Sequence, residues 1–382
     1  NPSIRVALSQ GVLPNRFGLL GQSKRLVLKL NRPKINAMVS AFEKLSYRLS
    51  QRLRAGWFST HYAATARLSP PASPASEADK RAFPSAKAVS EDLGRLFARD
   101  WANIEAGLYA APEGQWPNPL KVIGKSRQYF RDLRNVNQRK AARDGREVAA
   151  KVDQGRFPDY YLQNFHFQSD GYLSANSAEL YDYQVEVLFT GGADAMRRQA
   201  LVPIGDALGT RDIRQARLLD LACGTGQFLA AVKQNYPRLR VTGLDLSPPY
   251  LQKAEDRLAP WSRHTMVQGA GEFLPFADAS FDVVSCIYLF HELPRPVRRQ
   301  VAMEIRRVLK PNGRLVFVDS LQPGDHPPFD VLLHRFPQAT HEPYYADYLE
   351  DDLEDLFEQA GFAMHGFERA FFSRLMDLAP RE

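Results

Sequence analysis

The sequence predicts a doubly wound α/β fold, with a mostly parallel sheet covered by helices on both faces. Three observations predict it. From residue 216 onward, short apolar segments typical of strands alternate with segments of helical periodicity. The first of these strands runs directly into a glycine-rich loop and then a helix, as at a ligand-binding edge. The last residues, 362–379, suit an antiparallel hairpin that closes the sheet.

The elements of this core follow one another in a regular order. The predicted strands are RLLDLA (217–222), RVTGLDL (240–246), HTMVQG (264–269), FDVVSCIYL (281–289) and GRLVFVD (313–319). The predicted helices between and after them cover residues 228–236, 247–259, 297–309 and 348–361, with a weaker helical segment at 272–280. Gly361 is expected to end the last helix. Strand–helix alternation of this kind predicts parallel strands joined by crossovers.

The chain is expected to divide into two parts. Residues 1–155 are predicted to form a basic, mainly helical region with a Pro/Ser/Ala-rich linker near 66–89. Residues 156–382 are predicted to form the α/β domain, with a core at 214–382 and an aromatic lid or substrate segment at 156–213. In the first region, a stripe with helical spacing is expected to dock a helix on the body: Ile35, Met38, Phe42, Leu45 and Leu49. Lys44, Arg48 and Arg52 would form its solvated face or, alternatively, touch anionic lipid.

Composition and charge limit the classes of protein. No apolar run approaches the roughly 18 residues of a membrane span, and no charged-then-apolar leader predicts a signal peptide. Two cysteines cannot build a disulfide framework, which fits a cytoplasmic protein. Residues 1–150 hold about 26 Lys and Arg against about 11 Asp and Glu, while the remainder is acidic. The basic part is therefore expected to face nucleic acid, an anionic membrane surface or the acidic half itself.

A nucleoside-binding loop is predicted after the first strand, in LDLACGTGQF (219–228). Gly224 and Gly226 allow a ligand to approach the backbone. Asp245 follows Gly226 by about 19 residues, the spacing of an acid that accepts both ribose hydroxyls. A dinucleotide site would have glycine where Leu229 stands, and the Asp220 carboxylate would repel a pyrophosphate. A cationic ligand with an amino-acid tail, such as S-adenosylmethionine, suits Asp220 instead.

Four segments together resemble a known family: LDLACGTGQF, VTGLDLS, GAGEFLPFADASFDVV and LKPNGRLVFVD. They are similar to the successive motifs of class I S-adenosylmethionine-dependent methyltransferases, in the branch of the ubiquinone/menaquinone-biosynthesis enzymes. The resemblance covers about residues 214–370 and implies a seven-stranded Rossmann-like sheet. It implies that the cofactor contacts Asp220, Ala222, Gly224, Thr225, Gly226, Asp245, Leu246, Ala270, Gly271 and Ile287. The family often has Asp at the position of Ala270, so a side-chain acceptor for adenine is missing here.

Candidate catalytic residues lie beside this loop. His291 and Glu292 follow the fourth strand, where the family faces its substrate, and either is a candidate base. The aromatic segment FPDYYLQNFHFQSDGYLS (157–174) supplies a third, His166, and candidate substrate contacts at Tyr161, Gln168 and Tyr172. These rings could equally join the N-terminal helices to the sheet. The spacing of the histidines after residue 320 predicts no metal site.

These patterns predict a methyltransferase that modifies a small apolar or aromatic acceptor at carbon or oxygen. Two alternatives remain open at this point. The first is methylation of RNA or protein through the basic N-terminal region, although no Asn/Asp-Pro-Pro-Tyr motif of amino-group methyltransferases follows the fourth strand. The second is a non-catalytic membrane-surface or assembly module that retains the cofactor fold. The predicted location is the cytoplasm, peripheral to a membrane if the basic helix binds lipid.

Overall fold

A computed structural model describes residues 41–70, 74–114, 118–152 and 155–381. The strands are β1 (Arg217–Leu221), β2 (Arg240–Asp245), β3 (His264–Gln268), β4 (Phe281–Ile287), β5 (Leu309–Ser320), β6 (Phe362–Ala370) and β7 (Ser373–Pro380). They form one sheet in the order β3-β2-β1-β4-β5-β7-β6. The five strands from β3 to β5 are parallel, and β7 pairs antiparallel with both β5 and β6. The predicted doubly wound sheet and its terminal hairpin are confirmed.

Helices cover both faces of this sheet. Those that precede β1 are α1 (Ala41–Leu68), α2 (Glu77–Ala82), α3 (Ala86–Glu105), α4 (Pro119–Ala142), α5 (Ala175–Leu188), α6 (Ala193–Arg198) and α7 (Leu201–Leu208). Those of the α/β core are α8 (Gln227–Asn235), α9 (Pro248–Leu258), α10 (Arg295–Val308), α11 (Asp330–Ala339), α12 (Tyr345–Leu349) and α13 (Leu353–Gln359). Among the described residues, no helix combines the length and apolar character that a membrane crossing requires.

The connection between β3 and β4 differs from the prediction. Residues 272–280 form turns instead of the expected weak helix. Pro275 interrupts the segment, and Arg307 of α10 binds the backbone carbonyls of Leu274 and Phe276. Proline lacks the backbone N–H that a helical ladder needs at this point, and Arg307 holds the segment in its turns, so the crossover is made by a loop.

The N-terminal helices pack on the α/β core through buried polar contacts as well as apolar ones. The carboxylate of Asp100 in α3, fully buried, accepts hydrogen bonds from Tyr47 of α1, from Tyr109 and from Arg198. Trp101 and Ile104 of α3 belong to the same apolar cluster as strand residues of the sheet. Arg54 of α1 pairs with Glu186 and Asp194, so basic residues of the first part meet acids of the second, one of the three arrangements that the charge asymmetry predicts. The predicted boundary at residue 155 stays a prediction.

The orientation of α1 contradicts the predicted docking stripe. Ile35 and Met38 lie outside the described residues, while Phe42, Leu45 and Leu49 are 76%, 65% and 48% exposed. The face that packs on the body instead carries Tyr47, Ser50, Gln51, Phe58 and His61. The reason is electrostatic, because buried carboxylates on the body face this helix. Tyrosine and arginine side chains can donate hydrogen bonds to these carboxylates, whereas leucine side chains cannot. The apolar stripe is left facing outward.

Candidate active site

The candidate site lies at the carboxyl edge of the sheet, where the strand order reverses between β1 and β4. The loop after β1 turns sharply, with positive φ at Ala222 (56°), Gly224 (54°) and Gly226 (72°). A Cβ on Gly226 would lie 2.9 Å from the Cβ of Ala254, so this glycine permits α9 to pack closely on the loop. Gly224 turns its backbone N–H toward the end of β2.

Asp245, the last residue of β2, is held by the backbone on both carboxylate oxygens. Its Oδ2 accepts the N–H of Gly224 at 2.8 Å, and its Oδ1 accepts the N–H of Ser247 at 2.9 Å. Burial raises the pKa of this carboxyl, although these backbone N–H groups oppose the shift. Each oxygen keeps a further lone pair that can accept from a ligand hydroxyl. The arrangement fits a ribose, as the spacing of Gly226 and Asp245 predicts.

Asp220 lies near the end of β1 and is almost completely buried. The Oγ of Ser285, on the neighbouring strand β4, donates to its Oδ1 at 2.6 Å. Burial raises the pKa of Asp220 to about 7, and the nearby Asp245 carboxylate adds to the rise. A cationic ligand would stabilise the ionised form of this buried carboxyl, because the two charges are opposite.

An aromatic cavity opens beside this loop. Seven aromatic side chains line it: Tyr160, Tyr161, Phe165, Tyr172, Tyr181, Tyr250 and Tyr288. Its other walls are mainly aliphatic and glycine residues, including Leu221, Leu244, Leu246, Gly271, Ile287 and Val301, and its carboxylates are Asp245, Glu272 and Glu292. Aliphatic side chains suit a flat base, and aromatic faces attract a sulfonium cation. Carboxylate, apolar wall and aromatic cage together fit S-adenosylmethionine.

Glu292 and Tyr172 form the polar corner of this cavity. The phenol of Tyr172 donates to Oε1 of Glu292 at 2.5 Å, and its ring stacks on Phe165 with 5.4 Å between centroids. Burial raises the pKa of the Glu292 carboxyl. The backbone carbonyl of Tyr172 accepts from Ser247, the residue that caps α9. Tyr172 thus connects the lid segment by hydrogen bonds both to the start of α9 and to Glu292.

His291 stands behind Glu292 and is fixed by Asp319 of β5. Its Nδ1 lies 2.5 Å from Oδ1 of Asp319, a carboxylate that is fully buried and also accepts the backbone N–H of Phe290. Burial alone would lower the pKa of His291, but the Asp319 carboxylate raises it to about 9. The second ring nitrogen, Nε2, lies 4.0 Å from Oε1 of Glu292.

The predicted residues divide into three groups by position. Those that line the cavity are Ala222, Gly224, Asp245, Leu246, Gly271, Ile287, Tyr161, Tyr172 and Glu292. Those that lie next to it and support its walls include Asp220, Gly226, His166 and His291. Those directed elsewhere are Thr225, whose Oγ donates to Asp182, and the buried Gln168; Ala270 also does not line the cavity.

Several residues that line the cavity or lie beside it were not predicted from the sequence. Tyr181 comes from α5 and Tyr250 from α9, and the two rings meet edge to face at 5.3 Å. Glu272 accepts from the phenol of Tyr160 at 2.8 Å. Glu342 lies beside His166, with 3.1 Å between His166 Nε2 and Glu342 Oε1. Tyr181 lies within the predicted lid or substrate segment (156–213), and its aromatic ring is the signal that could have identified it, whereas no local signal marks Glu342.

Comparisons with known proteins agree with this geometry. Residues 218–313 match the family model described as a methyltransferase domain. The chain is 31% identical over 215 residues to demethylmenaquinone methyltransferase of Thermotoga maritima, covering 51% of this chain and 88% of that protein. It is 34% identical over 200 residues to the ubiquinone/menaquinone biosynthesis C-methyltransferase UbiE of Desulfotalea psychrophila, covering 48% and 77%.

A third relative carries a different name. The malonyl-[acyl-carrier protein] O-methyltransferase of Xylella fastidiosa is 35% identical over 121 residues, covering 31% of this chain and 39% of that protein. All three names describe methyltransferases, and S-adenosylmethionine is the cofactor that the family and the site require. This chain therefore belongs to the class I S-adenosylmethionine-dependent methyltransferases, of the ubiquinone/menaquinone-biosynthesis type.

Proposed function

We propose that this enzyme transfers a methyl group to carbon or oxygen of a small apolar or aromatic acceptor. The cavity next to Asp245 carries the proposal, because aromatic side chains from four parts of the chain enclose it. Aromatic side chains bind flat, apolar molecules more favourably than they bind a charged polymer. The names of the quinone-pathway relatives support the same class of acceptor.

The cofactor side of the proposed site is assigned to the loop and the first two strands. Asp245 would accept the ribose hydroxyls, Asp220 would face the ammonium group, and Leu246 with Gly271 would flank the adenine. The backbone near Ile287 would meet the methionine part. When bound, S-adenosylmethionine supplies an activated methyl group, so that positioning of the acceptor provides much of the acceleration.

The acceptor side is assigned to the corner that Glu292 and Tyr172 form. A hydroxyl or an acidic carbon loses a proton as it is methylated, and a carboxylate in the cavity wall can accept it. Glu292 lines the cavity directly, whereas His291 and His166 stand behind it. We therefore propose Glu292 as the group that contacts the acceptor, with His291 and His166 as positioning residues. Tyr161, whose ring centroid lies 6.0 Å from that of Tyr172, would continue this wall.

The proposal is tested by incubating the enzyme with S-adenosylmethionine and three acceptor classes: aromatic hydroquinones and phenols, RNA, and denatured protein. Mass spectrometry then identifies which class gains a methyl group. We expect methylation of the small aromatic class alone. Methylation of RNA, with an affinity that falls steeply with salt, would instead support the nucleic-acid alternative.

Cofactor binding is expected to weaken as the pH falls, through Asp220. The pKa of this carboxyl is raised to about 7 by burial, so its ionised form, which attracts the cofactor's ammonium, is lost below that pH. From pH 8 to pH 6, the affinity should fall about tenfold. The charged groups near Asp220 are Asp245 and Arg197. Isothermal calorimetry with Asp220→Asn should give weaker binding at pH 8 and a flatter profile; an equal slope in both proteins would contradict the assignment.

A second proposal concerns the outward stripe of α1, formed by Phe42, Leu45, Leu49 and Leu53. All four side chains are largely exposed, and their spacing places them on one face of the helix. Arg48 and Arg52 are exposed beside them. An apolar stripe flanked by arginines is complementary to an anionic lipid surface, and apolar acceptors partition into lipid. We therefore propose that this stripe contacts an anionic membrane surface.

The double variant Leu45→Asp/Leu49→Asp is expected to lose binding to vesicles that contain anionic lipid. Each buried leucine contributes about 1.5–3 kcal/mol, so flotation should fall at least tenfold. Met303→Asp, at an exposed position of α10, is the control and should bind as the wild type does. Equal flotation of the double variant, or concentration-dependent self-association that it abolishes, would overturn the lipid assignment.

A further inference from the structure

Four side chains from three separate parts of the chain converge beside the aromatic cavity. His291 and Glu292 belong to the short turn after β4, Glu342 precedes α12, and His166 comes from the lid. One ligand atom from each of His291, Glu292 and Glu342 can be chosen so that all lie within 4.8 Å of one another. Glu292 also lines the cavity, so the cluster and the acceptor site share a wall.

Glu342 is the unusual member of this cluster. Its side chain is fully buried, and among the described residues neither of its carboxylate oxygens has a hydrogen-bond partner. His166 Nε2 is 3.1 Å from Oε1, but this contact lacks hydrogen-bond geometry. Burying a carboxyl without a partner costs free energy unless it stays protonated or meets a cation. A second carboxylate and an imidazole lie within 4.8 Å of Glu342, so ligands for a metal cation are present at this place.

The environment of His291 matches that of a metal-binding histidine. Such residues usually donate one ring N–H to a carboxylate, which fixes the tautomer and turns the other nitrogen toward the ion. Nδ1 of His291 is bound by Asp319 in this way, and Nε2 is on the side of Glu292. Asp319 in turn accepts the backbone N–H groups of Leu289 and Phe290, so its position is fixed independently.

We propose that His291, Glu292 and Glu342 bind one divalent transition-metal ion, with His166 within reach as a fourth ligand. A mixed set of imidazole and carboxylate favours Mn²⁺, Fe²⁺, Co²⁺ or Zn²⁺ over Mg²⁺ and Ca²⁺, which prefer oxygen ligands alone. At this place the ion would hold an oxygen of the acceptor, a role that rests on the proposed function. The sequence did not predict the site, because Glu342 stands about 50 residues after His291 without ligand-like spacing.

The test is metal titration of the chelator-treated full chain by isothermal calorimetry, without cofactor or acceptor. We expect one Mn²⁺, Co²⁺ or Zn²⁺ per chain, bound at least tenfold more tightly than Mg²⁺. Glu342→Gln, which keeps the shape of the side chain, should weaken this binding at least tenfold. The matched control is Glu255→Gln, which alters a His–Glu contact between His264 and Glu255 on the surface; its metal affinity should not change.

A second measurement needs no variant. Co²⁺ added to the wild-type protein should give visible absorption bands of nitrogen and oxygen coordination that saturate at one ion per chain. Absence of saturable binding, or equal affinity in wild type and Glu342→Gln, would overturn the site and leave Glu342 as a protonated carboxyl. Because neither measurement uses an acceptor, a failed metal titration is distinguishable from a failed methyl-transfer assay.

Discussion

Replacement of Asp245 by alanine is expected to weaken the binding of S-adenosylmethionine by more than tenfold, which corresponds to at least about 1.4 kcal/mol. Two losses combine. In the proposed site the ribose hydroxyls would lose their charged acceptor, and the backbone N–H groups of Gly224 and Ser247 would lose theirs. The second loss matters because it frees the glycine loop that shapes the cofactor side of the cavity. Isothermal calorimetry with S-adenosylmethionine or S-adenosylhomocysteine measures the effect directly.

Two further variants sharpen this experiment. Asp256→Ala removes an exposed carboxylate of α9 that binds only Gln252 among the contacts described, and it should leave cofactor affinity unchanged. Asp245→Asn keeps one oxygen to hold the loop but loses the charge, so its affinity should lie between wild type and alanine. Unchanged affinity in Asp245→Ala would remove this residue from the cofactor site, and preference for a nicotinamide cofactor would overturn the site altogether.

The α/β core was predictable because its pattern is local. The central strands β1 and β4 are short and almost entirely buried, and the glycine loop and Asp245 stand at the ends of consecutive strands. Since parallel strands place their carboxyl ends at one edge, a spacing in sequence becomes a proximity in space. For the same reason the first two strands indicate, from sequence alone, the edge at which we propose that the cofactor binds.

The placement of α1 was not predictable from its own pattern. The helical periodicity of apolar residues identifies an apolar stripe on α1. It does not indicate which face of the helix is buried when the protein surface that it packs against carries acidic side chains. Arg54 of α1 pairs with Glu186 of α5 at 2.6 Å and with Asp194 of α6 at 2.8 Å. These partners stand 132 and 140 residues away in sequence, and nothing near α1 indicates them. The exposed leucines follow from that docking.

The acceptor side of the cavity was likewise only partly predictable from the sequence. His291 and Glu292 were candidates because they follow a strand at the binding edge, which is a local signal. Their pairing with Asp319, Tyr172 and Glu342 depends on the packing of β5, the lid and the segment before α12, which no spacing encodes. The sequence thus indicates candidate residues for acceptor chemistry but not the groups that surround them.

Glu292→Gln is expected to lower turnover at least about 100-fold, the lower range for loss of a general acid or base. Glutamine keeps the size of the side chain and can still accept from Tyr172, so the cavity should keep its shape. It cannot take up a proton, and it binds an acceptor hydroxyl more weakly than a carboxylate does. Cofactor affinity, measured by calorimetry on the same preparation, should change less than about twofold, since only the acceptor side is altered.

Tyr172→Phe is expected to lower turnover less than Glu292→Gln does. It removes the phenol that donates to Glu292 at 2.5 Å but keeps the ring that stacks on Phe165, so we expect a fall of about tenfold in turnover. Glu358→Gln, at an exposed position paired with Arg381, is the control and should turn over as the wild type does. If Glu292→Gln retains wild-type turnover, Glu292 only packs the cavity wall, and acceleration must come from positioning alone, as an already activated methyl donor allows.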